Sequence, residues 1–286
     1  MAKKNRNNLG IFEMPEKICV IGDIHADFES FYQLLYNAGI VNEKLDWTAK
    51  KLTLLIIGDL VDGKTRMGKW NGDSDINVIK FVEKLMNQAN EKGGRVIVLL
   101  GNHEFMNIKG NFSYSGDNGT KELGGTIGRY KYFNTKFKDF AKKCFLAVKM
   151  GDYVFCHAGI LPEISANLTV GDLNLLLQKY LNGDMDKKEE ELFYEIISGE
   201  LGILTNREFG NPTVNQDKLN KTLMNLKAKS MVVGHTVQKR VNSLCNGKLW
   251  RVDTGMSRAF GENNKKRMGF LLILENGKKT KIFWKK

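Results

Sequence analysis

Five times along this 286-residue chain a short apolar stretch ends at a stop carrying side chains of the kind that bind metal ions. The stops are Gly22-Asp23-Ile24-His25, Gly58-Asp59-Leu60-Val61-Asp62, Gly101-Asn102-His103-Glu104, Cys156-His157-Ala158-Gly159 and Gly234-His235-Thr236. The runs before them (17–21, 52–57, 95–100, 152–156 and 230–233) are short and apolar, so each reads as a buried strand. Apolar residues at helical spacing follow the first run (Phe28, Phe31, Leu34, Leu35, Ala38), and a second set lies around Ile76 to Met86. This alternation predicts an α/β fold with βαβ units and a largely parallel sheet. The carboxyl ends of such strands converge on one crevice, and a glycine at the stop lets backbone and ion come close.

One Gly-Asp or Gly-His after a strand is an ordinary turn, and one histidine beside an apolar strand is an ordinary core residue. Here five stops use all four histidines of the chain, and that combination predicts a metal site. Aspartate, histidine and asparagine donors suit two divalent ions such as manganese, iron or zinc, not a thiolate-bound ion. An aspartate can bridge two ions, and such a pair can hold attacking and leaving oxygens in line.

The remaining sequence narrows the class. Hydrophobic residues make up 42% of the chain, which places it among folded globular proteins. Residues 1–16 read as a disordered basic tail and 17–286 as a single domain. A helical insertion is expected at about 165–205, marked by Leu173, Leu176, Tyr180, Leu192, Phe193, Ile196 and Ile197. Asn246-Gly247 and Asn276-Gly277 signal two hairpins. The charge of +12 favours anionic partners, nucleic acid included, yet the lysines are scattered through Lys136, Lys138, Lys142, Lys143 and the tail and are not gathered into one run with stacking aromatics. The first fifteen residues carry no signal-peptide pattern, and no window approaches the roughly 20 apolar residues of a membrane span. Cys19, Cys144, Cys156 and Cys245 lie far apart, so an intracellular, cytoplasmic location is expected.

The ordered set of stops resembles the calcineurin-like metallophosphoesterases, and within them the PPP branch of serine/threonine phosphatases. Gly93-Gly94-Arg95, Leu99-Leu100-Gly101-Asn102-His103-Glu104, Met106-Asn107 and Val252-Asp253-Thr254-Gly255-Met256-Ser257 resemble the bacterial-type, Shewanella-like members. The likeness covers about residues 17–265. It implies mixed β-sheets packed as a sandwich and flanked by helices, and a phosphomonoesterase of the protein phosphatase type. It also implies that Asp23 and His25 bind a first metal, that Asp59 bridges, and that Asn102, His157 and His235 hold a second. A hydroxide between the metals would attack phosphorus, and His103, oriented by Asp62, would protonate the leaving oxygen. Arg207 resembles a phosphate-binding arginine of the family.

One departure stands out. The family pattern after the bridging aspartate ends Asp-Arg-Gly, whereas this chain has Asp62-Gly63-Lys64. Lys64 or Arg66 is expected to supply the missing charge, although lysine cannot make the two-pronged contact of arginine. Two other functions compete. A nucleotide or nucleic-acid-end phosphoesterase, such as a dinucleoside polyphosphate hydrolase or polynucleotide phosphatase, fits the basic charge. Against it, the second histidine usual in nuclease-type relatives is Val237 here. A catalytically weak phospho-binding protein would fit the lost arginine.

Overall fold

Three parallel strands, β2 (Lys17–Ile21), β3 (Leu52–Ile56) and β4 (Arg95–Val98), are joined through helices α1 (Phe28–Asn37) and α2 (Asp75–Glu91), as the strand-helix rhythm predicts. A computed structural model of the protein describes residues 9–66, 69–261 and 267–283. Strands β10 (Gly269–Leu274) and β11 (Lys279–Phe283) complete this sheet antiparallel, in the order β11-β10-β2-β3-β4. The second sheet holds β1 (Ile11–Phe12), β5 (Ala147–Met150), β6 (Tyr153–Cys156), β7 (Ser230–Val233), β8 (Asn242–Leu244) and β9 (Leu249–Arg251). Their order is β1-β5-β6-β7-β9-β8. The largely parallel sheet expected from the strand-helix alternation is thus corrected, and the mixed sheets implied by the family resemblance are what the structure has. Hairpins at residues 245–248 and 275–278 return the chain antiparallel, as their Asn-Gly pairs signal.

Why the strands read as continuous apolar runs is visible in the layering. Ile18, Val20, Leu55, Ile57, Ile97 and Leu99 face Val148, Phe155, Val232 and Trp250 between the sheets. Their neighbours Cys19, Ile21, Leu54, Ile56 and Val98 face outward onto Phe31, Leu34, Val78, Val82 and Leu85 of the helices. A strand covered on both faces has no polar side to alternate with.

One expectation shifts. The disordered tail was expected to reach residue 16, but Ile11 and Phe12 pair with Lys149 and Met150, and the Arg95 guanidinium lies 4.8 Å from the Phe12 ring centroid. A two-residue strand is too short to show a period; the tail's residues 1–8 lie outside those described. The stretch 102–141, which has no clear period, holds four helices: α3 (Asn102–Ile108), α4 (Asp117–Lys121), α5 (Gly125–Phe133) and α6 (Lys136–Ala141). Helices α7 (Pro162–Ser165), α8 (Val170–Asn182) and α9 (Lys187–Ser198) occupy the stretch read as a helical insertion, and α10 (Gln216–Asn225) follows. No helix among the described residues is long and apolar enough to cross a membrane.

Candidate metal centre and acid-base pair

Three of the five strand stops turn sharply at the crevice. His25, Asp59, Asp62 and His235 have φ of 46°, 51°, 71° and 62°, in the left-handed region that side-chain-bearing residues avoid. Such conformations cost on the order of 1–3 kcal/mol each and persist only where the surroundings hold them. Much of that hold comes from Glu104, whose carboxylate accepts the N–H groups of Gly101 (2.7 Å), Leu60 (2.8 Å) and Asp59 (3.0 Å). Burial, then the nearby Asp59, pushes the Glu104 pKa up to about 7. Gly101 is required by close approach, because a Cβ there would stand 2.1 Å from Asp59 Oδ1.

Asp59 is the hub. Two groups of potential ligand atoms share it, His25–Asp59–His103 and Asp59–His157–His235, each set within 4.8 Å of one another. From Asp59 Oδ2 the Nε2 atoms of His157, His25 and His103 lie 3.4, 3.9 and 3.9 Å away. Asn102 Oδ1 is 3.1 Å from His157 Nε2, and Asp23 accepts the His235 N–H at 3.2 Å. His157 Nδ1 is 2.9 Å from the Ile57 carbonyl and His235 Nε2 is 3.1 Å from the Thr205 carbonyl. Those carbonyls can only accept, so the opposite ring nitrogens remain free for an ion. The structure therefore gathers Asp23, His25, Asp59, Asn102, His157 and His235 at one place.

The electrostatics suit a cation. Asp23, Asp59, Glu104 and Asp253 are all buried here. Burial, then the neighbouring Asp253, drives Asp23 well above the usual carboxylate range. Burial raises Asp59 as well, but the imidazoles of His157 and His103 outweigh it and hold Asp59 low. Burial would depress His157, yet Asp59 outweighs it and lifts the ring to about 10. Burial, then His157, lowers His235 to about 3. His25 Nδ1 and Asp253 Oδ2 are buried without a hydrogen-bond partner among the described residues. Unpaired buried polar atoms and clustered carboxylates are costly unless positive charge joins them, so the donor set fits divalent ions.

Beside the hub, His103 Nδ1 lies 2.8 Å from Asp62 Oδ2. Burial opposes the imidazolium, but Asp59 and the Asp62 hydrogen bond outweigh it and His103 ends above its ordinary value. The ring's other nitrogen, Nε2, is 3.4 Å from Arg66 Nη2. Arg66 is stacked between Tyr114 and Phe260, 5.3 and 5.1 Å from their ring centroids. Of the two cations expected to replace the family's arginine, the structure brings Arg66 to the site and leaves Lys64 apart. The Lys64 ammonium donates to the Ser113 carbonyl at 3.0 Å. Arg207 lies on the other side, its Nη1 3.1 Å from Thr236 Oγ1 next to His235.

The departure at Gly63 has a steric cause. A Cβ there would meet the Gly72 Cα at 2.6 Å and the His25 carbonyl at 3.2 Å. Restoring the family's residue with Gly63→Arg is therefore expected to lower stability by about 1–3 kcal/mol and to bring no gain in turnover. Thermal unfolding beside steady-state assays would show this; an active, undestabilised variant would contradict the packing argument.

Sequence reasoning missed several residues here. Glu104, Asn107 and Asp253 stood inside recognised motifs without a role, while Asp75, Tyr114, Arg129 and Phe260 had no local signal. A cavity of about 620 Å³ is lined by residues that include Phe12, Met14, Lys51 and Arg95, at the opposite ends of β3 and β4, and contains none of the site residues.

A two-sheet sandwich with histidines and carboxylates converging on one shared aspartate defines a metal-dependent hydrolase of phosphate esters. Residues 16–239 match the calcineurin-like phosphoesterase family, and the chain belongs to it. It is 25% identical to Shewanella-like protein phosphatase 2 of Arabidopsis thaliana over 86% of this chain and 73% of that protein. It is 28% identical to Shewanella-like protein phosphatase 1 of Plasmodium berghei (strain Anka), over 84% of this chain and 67% of the relative. Among solved structures, a cold-active protein-tyrosine phosphatase of a psychrophilic Shewanella superposes with a TM-score of 0.75 at 24% identity. That match covers 95% of this chain and 82% of the other.

Proposed function

We propose that this enzyme is a phosphomonoesterase of the protein phosphatase type in which two divalent ions share Asp59 and His103 is the general acid. The observation that carries the reading is the pair of ligand groups meeting at Asp59 with the 2.8 Å His103–Asp62 contact beside them. Ions bound there would supply the charge that readies water as a nucleophile and offsets phosphoryl charge. Asp23, His25 and Asp59 would hold one, and Asp59, Asn102, His157 and His235 the other. Arg66 and Arg207 flank the hub and would bind phosphoryl oxygens. As the water oxygen bonds to phosphorus, the ester P–O bond breaks with its electron pair on the leaving oxygen. That oxygen takes the His103 Nε2 proton, giving alcohol and inorganic phosphate. Asp62 keeps the imidazolium charged and aimed. The free cysteines, three of them buried, support a reducing, cytoplasmic setting.

Purified protein with added manganese should hydrolyse p-nitrophenyl phosphate and a phosphoserine or phosphothreonine peptide. Turnover of diadenosine polyphosphate or a 5′-phosphorylated oligonucleotide, without turnover of the peptides, would favour the nucleotide reading instead. No turnover of any of them would favour a phospho-binding protein. A second reading of the substrate, a phosphotyrosine peptide, is favoured by Tyr114, whose half-exposed ring lies 5.2 Å from His103 and can meet an aromatic leaving group.

The clamp role of Arg66 makes its own demand. A charged hydrogen bond is worth about 1.5–3 kcal/mol, so Arg66→Ala is expected to raise KM by roughly 10- to 100-fold. Arg66→Lys should recover little, because a point charge cannot fork. An unchanged KM in both variants would remove Arg66 from the phosphate site.

A further inference from the structure

Helix α5 sends a fully buried arginine, Arg129, into the back of the acid-base pair. Its Nη2 is 2.8 Å from Asp62 Oδ1, the oxygen that His103 does not use. Its Nη1 reaches Asp75 Oδ2 at 2.5 Å and the Gly119 carbonyl at 3.0 Å, and its Nε reaches Asn107 Oδ1 at 2.6 Å. Asn107 in turn donates from Nδ2 to Asp62 Oδ1 and to the His103 carbonyl, both at 2.9 Å. Asp75 closes the circuit, its Oδ1 accepting the Asp62 N–H at 2.9 Å. The guanidinium plane is stacked against Phe133 and Phe112, 5.0 and 5.8 Å from their centroids. Gly119 leaves room for this, since a Cβ there would stand 2.2 Å from Asp75 Oδ2.

We infer that Arg129 is a positioning residue for the reaction: it locks the Asp62 carboxylate so that one oxygen is presented to His103 Nδ1. This rests on the reading of His103 as the general acid. A carboxylate turns easily about its terminal torsion, and Asp62 already sits in a left-handed backbone conformation. Three N–H donors, from Arg129, Asn107 and the His103 ring, fix both of its oxygens. Asp75 and Asp62 would be two buried anions side by side without Arg129, so the arginine also offsets their mutual repulsion. Arg129 touches neither the ligand groups nor the crevice. It acts on the leaving oxygen only through Asp62 and His103.

A purely structural ion pair and a positioning role differ in how they treat leaving groups. p-Nitrophenolate departs with little help from an acid, whereas the alkoxide of a phosphoserine peptide needs its proton as the bond breaks. With the full chain and added manganese, Arg129→Lys is expected to lower kcat on the phosphoserine peptide by about 10- to 100-fold, the range typical of lost outer-shell partners. Turnover of p-nitrophenyl phosphate should fall by less than about threefold, with bound manganese unchanged. Asp75→Asn, which retains an acceptor for the Asp62 N–H but weakens the hold on Arg129, should give the same selective loss. It serves as the second variant should Arg129→Lys fail to fold. His103→Asn is the reference and should discriminate between the two substrates at least as strongly. If His103→Asn does not discriminate, the acid assignment itself is wrong. If it does, but the Arg129 and Asp75 variants lose both substrates equally or neither, the positioning role is overturned.

Discussion

Replacing His103 with asparagine is expected to lower kcat on an alkyl phosphomonoester by about 10²- to 10⁴-fold, the usual contribution of a placed general acid. Bound metal should stay at the wild-type level. The second half of that expectation matters as much as the first, because His103 belongs to one of the two ligand groups that share Asp59. What separates it from the others is its partner. His157 and His235 turn one ring nitrogen to a backbone carbonyl, which leaves the opposite nitrogen of each for an ion. His103 instead turns Nδ1 to the Asp62 carboxylate, which stabilises the charged, proton-donating form. Burial works against that form, but Asp59 and Asp62 hold the pKa above its ordinary value. The charged, proton-donating form therefore extends to higher pH than an ordinary imidazole allows, and wild-type activity should show a falling limb as rising pH removes that proton. In the variant that limb should be gone. Elemental analysis alongside the rate measurement decides the matter: metal lost in step with activity would make His103 a ligand and not an acid.

The largest loss is expected from Asp59→Asn. Asp59 is the one residue common to both groups of ligand atoms, and its Oδ2 faces three imidazoles at 3.4–3.9 Å. Without its charge the histidines lose the anion that draws cations in, and neither position is expected to load. Metal ions contribute several kcal/mol at such sites, so activity should fall by more than roughly 10³-fold. The fold should survive, because Glu104 holds the Asp59 N–H through the backbone, which asparagine retains. Circular dichroism should match the wild type while manganese or iron content drops to background. A variant that keeps full metal content would show that Asp59 is not a bridge.

Legibility from sequence divides along the chain. The parallel βαβ start and both C-terminal hairpins were readable, because their signals are local: apolar runs, helical spacing, Asn-Gly turns. The mixed character of the sheets was not readable from that alternation, since which strands pair depends on partners 100 or more residues away, as with Lys17 opposite Leu274. The helices between residues 102 and 141 escaped for a different reason. In α5 the buried residues are Arg129 and Phe133, so its inner face carries a charge where a periodic pattern would expect an apolar residue.

The same division runs through the site. The order of residues alone determined the metal-type donors, because each follows a strand; that the stops after β2, β3 and β4 meet those after β6 and β7 was decided by how the two sheets pack. The choice between Lys64 and Arg66 was made only in three dimensions, where Tyr114 and Phe260 stack on the arginine while the Ser113 carbonyl draws the lysine away. The link from Asp62 through Arg129 to Asp75 likewise exists only after folding. Its members come from separate elements, and what joins them is burial, which obliges each charge to find an opposite charge nearby.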